Sequence, residues 1–207
     1  MIIEDLIDTS HFVAEDQKDL CKKYFCQIPI SLESTWFYSL HTSSISYQGD
    51  IIDKFYVSFT DLEGDNIITQ AIEDQACMLM SNTCDMYFED KTREKYISVA
   101  PIFNYDEFAN SPKPAAYSEQ GWIDFLKDVR ENKITDILYI PGKNGINDSV
   151  VLLDMITSFD PKLLSAMIEK ESTKRILTLS QIGYYFFLIK LTYHFARYED
   201  KDEVKRD

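Results

Sequence analysis

The chain has 207 residues, of which 45% are hydrophobic and 14% aromatic, and this composition excludes an intrinsically disordered protein. Its 35 acidic residues outnumber its 21 basic residues and leave a formal charge of −14, which makes nucleic acid an unfavourable partner and a basic protein surface a favourable one. The length suits one domain with elaborations.

The cysteines and the N-terminal sequence indicate a cytoplasmic protein. The chain opens with an acidic stretch instead of a signal peptide, so Cys21, Cys26, Cys77 and Cys84 are predicted to be thiols in a reducing compartment. The aromatic run at residues 184–191 is shorter than the roughly 20 apolar residues that cross a bilayer. We therefore expect no membrane span.

The first half of the chain predicts one helix and several strands. A short amphipathic helix is expected at residues 15–25, and residues 34–38, which favour β-structure, predict a strand or an extended arm. A β-hairpin follows, with strands from residue 49 to 59 and a turn at 63–66, where glycine and asparagine supply positive φ.

Two apolar runs of strand length, residues 76–80 and 96–102, indicate buried strands that are joined by an exposed charged loop at 89–95. Prolines and polar residues at 110–114 then separate this β-region from a helical insertion at about residues 115–132, which Ser118 is expected to cap.

The last part of the chain predicts two strands and two helices. The strands are expected at residues 137–140 and 150–153. Asp160 and Pro161 form an N-cap and a first helical residue, and Ser180 begins a final helix with almost no polar face. Such a helix must be buried against the rest of the fold or against another protein.

Nucleotide-binding and metal-binding motifs are absent from the sequence. With only 6 glycines, the chain contains no phosphate-binding glycine loop. The cysteines and histidines show no metal-ligand spacing, so we expect no metal and no cofactor. A zinc site assembled across the fold from Cys84, Asp85 and a distant histidine stays open as an alternative.

A polar motif follows the apolar strand at 76–80. It consists of Ser81, Asn82, Thr83, Cys84 and Asp85. Short polar side chains of this kind hydrogen-bond nearby backbone groups, which favours a turn. The functional interpretation is that the same groups line the mouth of a binding site for a ligand, peptide or nucleotide.

Cys84 is also a candidate nucleophile, with His11 or His41 as its base. Two considerations favour an unreactive thiol. Cysteine is commonly a small buried hydrophobe, and the neighbouring Asp85 raises the thiol pKa through repulsion between like charges.

The order of these motifs resembles the PemK/MazF-like toxin family. The resemblance is carried by residues 49–52 (Gly-Asp-Ile-Ile), 76–81 (Ala-Cys-Met-Leu-Met-Ser), 97–102 (Ile-Ser-Val-Ala-Pro-Ile) and 150–156 (Val-Val-Leu-Leu-Asp-Met-Ile). It implies an α+β fold, a small Src-homology-type β-barrel with an inserted helix and C-terminal helices. The implied organisation is an N-terminal helix and arm over residues 1–48, the barrel domain over 49–198 and a charged tail over 199–207.

The residues that cleave RNA in this family are only partly present. Active members use an arginine after the first strand and a hydroxyl group near the second conserved strand. No arginine occurs between Met1 and Lys91, and only Ser81 and Thr83 offer the hydroxyl. The ribonuclease centre that the resemblance implies is therefore incomplete, and the negative charge disfavours RNA as well.

The Ser-x-Thr-Cys-Asp version of this barrel resembles bacterial proteins near phage-defence genes. We therefore expect a non-catalytic binding or scaffolding component of a phage-defence or toxin–antitoxin-like system, whose partner is another protein with a basic or apolar surface, or a second copy. The expected contact residues are Ser81, Asn82, Thr83, Asp85, Tyr184, Tyr185 and Phe187. The alternative is a divergent endoribonuclease or a thiol-dependent hydrolase centred on Thr83, Cys84 and Asp85.

Overall fold

The computed structural model describes residues 7–8, 10–25, 33–40, 46–63, 66–83, 86 and 96–196. Its strands are β1 (Tyr38–Ser39), β2 (Ile51–Glu63), β3 (Asn66–Leu79), β4 (Ile97–Asn104), β5 (Ile137–Ile140), β6 (Ser149–Leu152), β7 (Thr157–Phe159) and β8 (Arg175–Leu179). Its α-helices are α1 (Lys18–Phe25), α2 (Ser34–Phe37), α3 (Tyr105–Ala109), α4 (Glu119–Arg130), α5 (Pro161–Glu169) and α6 (Gln181–Ala196). Short 3-10 helices lie at Glu15–Gln17 and Leu153–Met155.

The described strands form one antiparallel sheet that is not closed. The strand order is β1-β8-β2-β3-β4-β6-β5, and β7 pairs with β4. The α+β class is as predicted, whereas the predicted barrel is not confirmed. The end strands β1 and β5 have two and four residues, so they offer little backbone for the pairing that would close the sheet.

Apolar side chains alternate between two faces of the sheet and build two cores. Neighbours along a strand point to opposite faces, so Ile51 and Met78 lie in one core and Ile52 and Cys77 in the other. Helices α1, α2 and α6 cover the first face, and α5 covers the second with Leu164 and Met167. The predicted burial of the final helix is confirmed.

The predicted helical insertion is confirmed as α4, which packs beside β5 and β6. The Ser118 hydroxyl accepts a hydrogen bond from the Gly121 N–H at 3.0 Å, as expected of an N-cap. A third apolar cluster joins the insertion to the sheet. It contains Tyr105, Val129, Ile137, Tyr139 and Val150.

Asp148 ties this insertion to the sheet with its carboxylate. It accepts hydrogen bonds from the Tyr139 hydroxyl at 2.6 Å and the Gly142 N–H at 2.8 Å, and it pairs with Arg130 at 3.2 Å. Burial alone would raise the pKa of Asp148, but the hydrogen bonds and the charge of Arg130 outweigh it and lower the pKa below its ordinary value.

The segment before β2 belongs to the main core instead of forming a separate arm. Residues 34–37 form a helical turn and not the strand that their composition predicts, and the two-residue β1 then pairs with β8. The backbone N–H of Ser180 donates to the Phe37 carbonyl at 2.9 Å, and the Ser180 hydroxyl donates to the Trp36 carbonyl. Gly183 lies so close to the Phe37 carbonyl that a Cβ there would overlap it.

The C-terminal part contains two strands that the sequence does not predict, β7 and β8. Strand β8 lies between the two predicted helices and pairs with both β1 and β2. The predicted cap of α5 is confirmed, because the Asp160 carboxylate accepts from the Lys162 N–H at 2.9 Å. None of the described helices is long and apolar enough to cross a membrane. The predicted loop at 89–95 and tail at 199–207 lie outside the described residues.

Candidate functional site

A pocket of about 330 Å³ opens beside the start of α6. The segment before β2, the end of β3, the end of β8 and the first turn of α6 each contribute side chains. The lining residues are Ser39, Tyr47, Gln48, Thr83, Thr178, Leu179, Ser180, Gln181 and Tyr184. The described lining offers several hydroxyl and amide groups and contains no carboxylate, ammonium, guanidinium or imidazole group.

Gln48 holds the walls of this pocket together. Its backbone N–H donates to the Thr83 hydroxyl at 3.1 Å, and its side-chain amide donates to the Met80 carbonyl at 2.8 Å. The amide oxygen accepts from the Tyr184 hydroxyl at 3.0 Å. One glutamine thus joins the end of β3 to α6, which fixes the position of two lining residues that come from distant parts of the chain.

A buried ion pair lies next to the pocket. Asp50 is fully buried, and its Oδ2 accepts from the Tyr47 N–H at 2.8 Å and from Arg175 at 3.2 Å. Its Oδ1 has no donor in hydrogen-bonding geometry among the described residues. Burial raises the pKa of the Asp50 carboxyl, while the Tyr47 N–H, the nearby Thr178 hydroxyl and Arg175 oppose that rise.

The described lining of the pocket is suited to hydrogen bonding, because it offers hydroxyl and amide groups and no charged side chain. The arrangement can hold an uncharged polar group through several hydroxyl and amide contacts. This is the chemistry of reversible binding.

The predicted site residues separate into different places. Thr83 and Tyr184 line the pocket, whereas the Ser81 hydroxyl accepts from the Ser98 N–H at 2.8 Å and joins the end of β3 to β4. Asn82 is exposed. Ser81 therefore has the structural role of a satisfied turn, and Thr83 is the one described residue of the motif that lines the pocket.

Two predicted partner-binding residues prove to be core residues. Phe187 is fully buried and Tyr185 is 8% exposed, because α6 lies between the sheet and the N-terminal helices. The prediction that they contact a partner is therefore corrected: the side chains that made α6 look like a docking helix pack against this chain itself.

The structure describes the surroundings of two cysteines, Cys21 and Cys77. Cys21 and Cys77 are buried free thiols, as predicted, and burial raises their pKa to about 11 and about 12. Cys84 and Asp85, the centre of the alternative active site, lie outside the described residues, as does Cys26. Catalysis by Cys84 stays a prediction.

A second exposed feature is the outer part of the hairpin, residues 59–63 and 66–70, which we call the ribbon. Beyond Ile52, β2 pairs only with β3, and before Cys77, β3 pairs only with β2, among the described strands. Each arm of the ribbon extends roughly 17 Å. No described strand pairs with either outer edge of the ribbon.

The hairpin is irregular between the sheet and the ribbon. The strand register shifts between Phe55 and Val57, and Asp74 on the facing strand has a φ of 54°. A bulge of this kind bends a strand and increases its twist.

Apolar and acidic side chains share the ribbon surface. Leu62 and Ile67 face each other across the two strands and are 68% and 77% exposed. Residues 55–75 contain no lysine or arginine. Their acidic residues are Asp61, Glu63, Asp65, Glu73 and Asp74. The ribbon thus combines an exposed apolar pair with unbalanced negative charge.

Sequence patterns indicated two of the lining residues, Thr83 and Tyr184, but not the pocket as a whole, because its residues come from four distant segments. Ser180 was expected only to begin a helix, and Gln48 precedes the Gly-Asp motif. No protein-family model matches the chain, and no curated protein matches it at a significant level.

Proposed function

We propose that this protein is a non-catalytic binding component of a bacterial phage-defence or toxin–antitoxin-like system. Its partner is a protein with a basic, partly apolar surface, and the ribbon is the part that engages it. The observation that carries the proposal is the ribbon itself, in which Leu62 and Ile67 stay exposed on two strands whose outer edges pair with no described strand. The system is proposed on the motif resemblance.

Physical chemistry supports a protein partner for the ribbon. A two-stranded ribbon in water is marginally stable, so a partner that covers its apolar pair or extends its edges would stabilise it. Burying Leu62 and Ile67 removes apolar area from water, which contributes roughly 25 cal/mol per Å². The absence of basic residues from the segment 55–75 favours a positively charged partner and disfavours nucleic acid.

We further propose that the sheet is an opened relative of the PemK/MazF-like barrel. The four stretches that resemble the family begin or lie on β2, β3, β4 and β6. These strands are successive neighbours in the sheet order, which supports a common origin for this part of the fold. Barrel and open sheet would then differ in how the end strands pair.

The test uses a ribbon variant and a matched surface control. The double variant Leu62→Ser, Ile67→Ser removes the apolar pair, and Ile123→Ser changes a residue that is 58% exposed on α4. Proteins captured from bacterial cells are identified and purified. Each is then titrated calorimetrically, at low and high salt, against the wild type, the double variant and the control variant. We expect a basic partner whose binding is lost in the double variant, kept in the control, and weakened by salt.

Two results would contradict the proposal. One is a partner whose binding affinity is unchanged by the ribbon variant or by the salt concentration. The other is self-association, measured by light scattering, that the double variant abolishes, since the ribbon would then join copies of this chain. A phage-challenge assay separates the enzymatic alternative: Cys84→Ala should keep protection and the ribbon variant should lose it, whereas a thiol hydrolase requires the reverse pattern.

A further inference from the structure

A histidine and two carboxylates, none of them predicted as a site residue, lie close together in the fold. His194 lies in the last turn of α6, Asp136 immediately precedes β5, and Asp154 lies in the 3-10 helix Leu153–Met155. One ligand atom from each lies within 4.8 Å of the others. His194 and Asp136 are 58 positions apart in sequence, so spacing alone could not bring them together.

The two carboxylates are held in place by the backbone that carries them. The Leu153 N–H donates to the Asp136 carbonyl at 2.9 Å, which fastens the 3-10 helix to the segment before β5. His194 is 7% exposed, whereas the side chains of Asp136 and Asp154 are 41% and 60% exposed. A buried, fixed imidazole thus faces two carboxylates that remain open to solvent.

The two ring nitrogens of His194 have different partners. Nδ1 lies 3.2 Å from Asp136 Oδ1, which is a hydrogen-bond distance, and Nε2 lies 3.8 Å from Asp154 Oδ1. A carboxylate on one imidazole nitrogen fixes the tautomer that leaves the other nitrogen free to bind a metal ion. The separation between Nε2 and Asp154 is too long for a hydrogen bond.

We propose that His194 and Asp154 bind a divalent first-row transition-metal ion, such as Zn²⁺ or Co²⁺, and that Asp136 orients the imidazole. Metal–nitrogen and metal–oxygen bonds of about 2.0–2.2 Å place two ligands of one ion roughly 3–4 Å apart, which the observed separation matches. Imidazole with carboxylate is a ligand set that suits these ions, and water completes the coordination.

The surroundings favour a cation at this position. The chain carries a formal charge of −14, which attracts cations. Lys190 lies one turn earlier on α6, but its ammonium group donates to the carbonyls of Asn132 and Ile134. Two backbone carbonyls therefore fix the position of this ammonium group, which also interacts electrostatically with Asp136.

The experiment titrates Co²⁺ into the full chain after treatment with a chelator. The visible spectrum of Co²⁺ distinguishes nitrogen and oxygen ligands from thiolates, so binding at cysteines is recognised. We expect one ion per chain with a nitrogen and oxygen spectrum. His194→Ala and Asp154→Asn should each weaken binding by at least about tenfold, and Asp136→Asn by about 10- to 100-fold.

The controls make the outcome decisive. His11→Ala, at an exposed histidine, should leave binding unchanged. The chain has 3 histidines, so the imidazole NMR signals are few, and Co²⁺ should broaden that of His194 first. Asp154 is exposed, so Asp154→Asn should fold even if the histidine variant does not. Unchanged affinity in Asp154→Asn, a thiolate spectrum, or no binding at all would overturn the proposal.

Discussion

Lys190 is a buried cation that should control how the stability of this protein changes with pH. The residue is 5% exposed, and its Nζ donates to the Asn132 carbonyl at 2.8 Å and to the Ile134 carbonyl. Burial lowers the pKa of its ammonium group from 10.5 to about 7, against the opposing effect of Asp136. Between these two values the unfolded chain holds more protons than the folded one.

The sign of the effect follows from that difference in bound protons. The free energy of unfolding should rise with pH from about 7 to about 10.5, because the cost of burying the charge disappears as the folded amine loses its proton. Below the folded pKa the full cost is present. One pKa unit corresponds to about 1.4 kcal/mol, so the gain between about pH 7 and pH 10 is roughly 3 kcal/mol.

The variant Lys190→Met removes this titration while it keeps an unbranched side chain in the core. Urea unfolding across that pH range, with a chelator present, gives the free energy of unfolding for both proteins. As pH rises, the free energy of unfolding of the wild type should increase by roughly 3 kcal/mol relative to that of the variant. Lys162→Met, at an exposed lysine, is the control. Parallel curves for wild type and Lys190→Met would refute the reasoning.

Two further predictions concern packing and hydrogen bonding. Gly183→Ala should destabilise the fold by at least about 2 kcal/mol, because the added Cβ overlaps the backbone carbonyl of Phe37. The control Gly121→Ala, in α4, should be nearly neutral. Thermal melting of the two variants checks this prediction, and equal melting temperatures would contradict it. Asp148→Asn should cost about 1–2 kcal/mol at neutral pH, since it weakens the bonds from Tyr139 and Arg130. Because the pKa of Asp148 is lowered in the folded state, its contribution is present above the ordinary carboxyl pKa and is lost as pH falls through the folded value. Unfolding measured at neutral and acidic pH should therefore show the two proteins converging in acid, and a constant difference would argue against the assignment.

Local patterns predicted the elements that depend on local physics. The N-caps at Ser118 and Asp160 could be predicted from the sequence, because each side chain accepts a hydrogen bond from a backbone N–H two or three residues away. The turn of the β2–β3 hairpin was predicted from its glycine and asparagine. These features need no knowledge of the rest of the chain.

The errors came from contacts between distant segments. Residues 34–37 favour β-structure by composition, yet they form a helical turn that packs against α6 and bonds to Ser180. Strand β8 was missed because five residues between two helices become a strand only through pairing with β1 and β2. The pocket and the His194 cluster were not predictable for the same reason, since their members are separated by tens of residues.

The contact between the two ends of the described fold also has a consequence for biosynthesis. The Ser39 hydroxyl donates a hydrogen bond to the Leu179 carbonyl, 140 positions away in sequence. The Phe37 carbonyl accepts a hydrogen bond from the Ser180 N–H, which lies between β8 and α6. A ribosome that adds about 5–20 residues per second needs on the order of ten seconds to make the intervening chain. During that time Phe25 and Phe37 lack Phe186, the ring of the last helix that packs against both, so the nascent chain leaves them more exposed and should engage chaperones until that helix emerges.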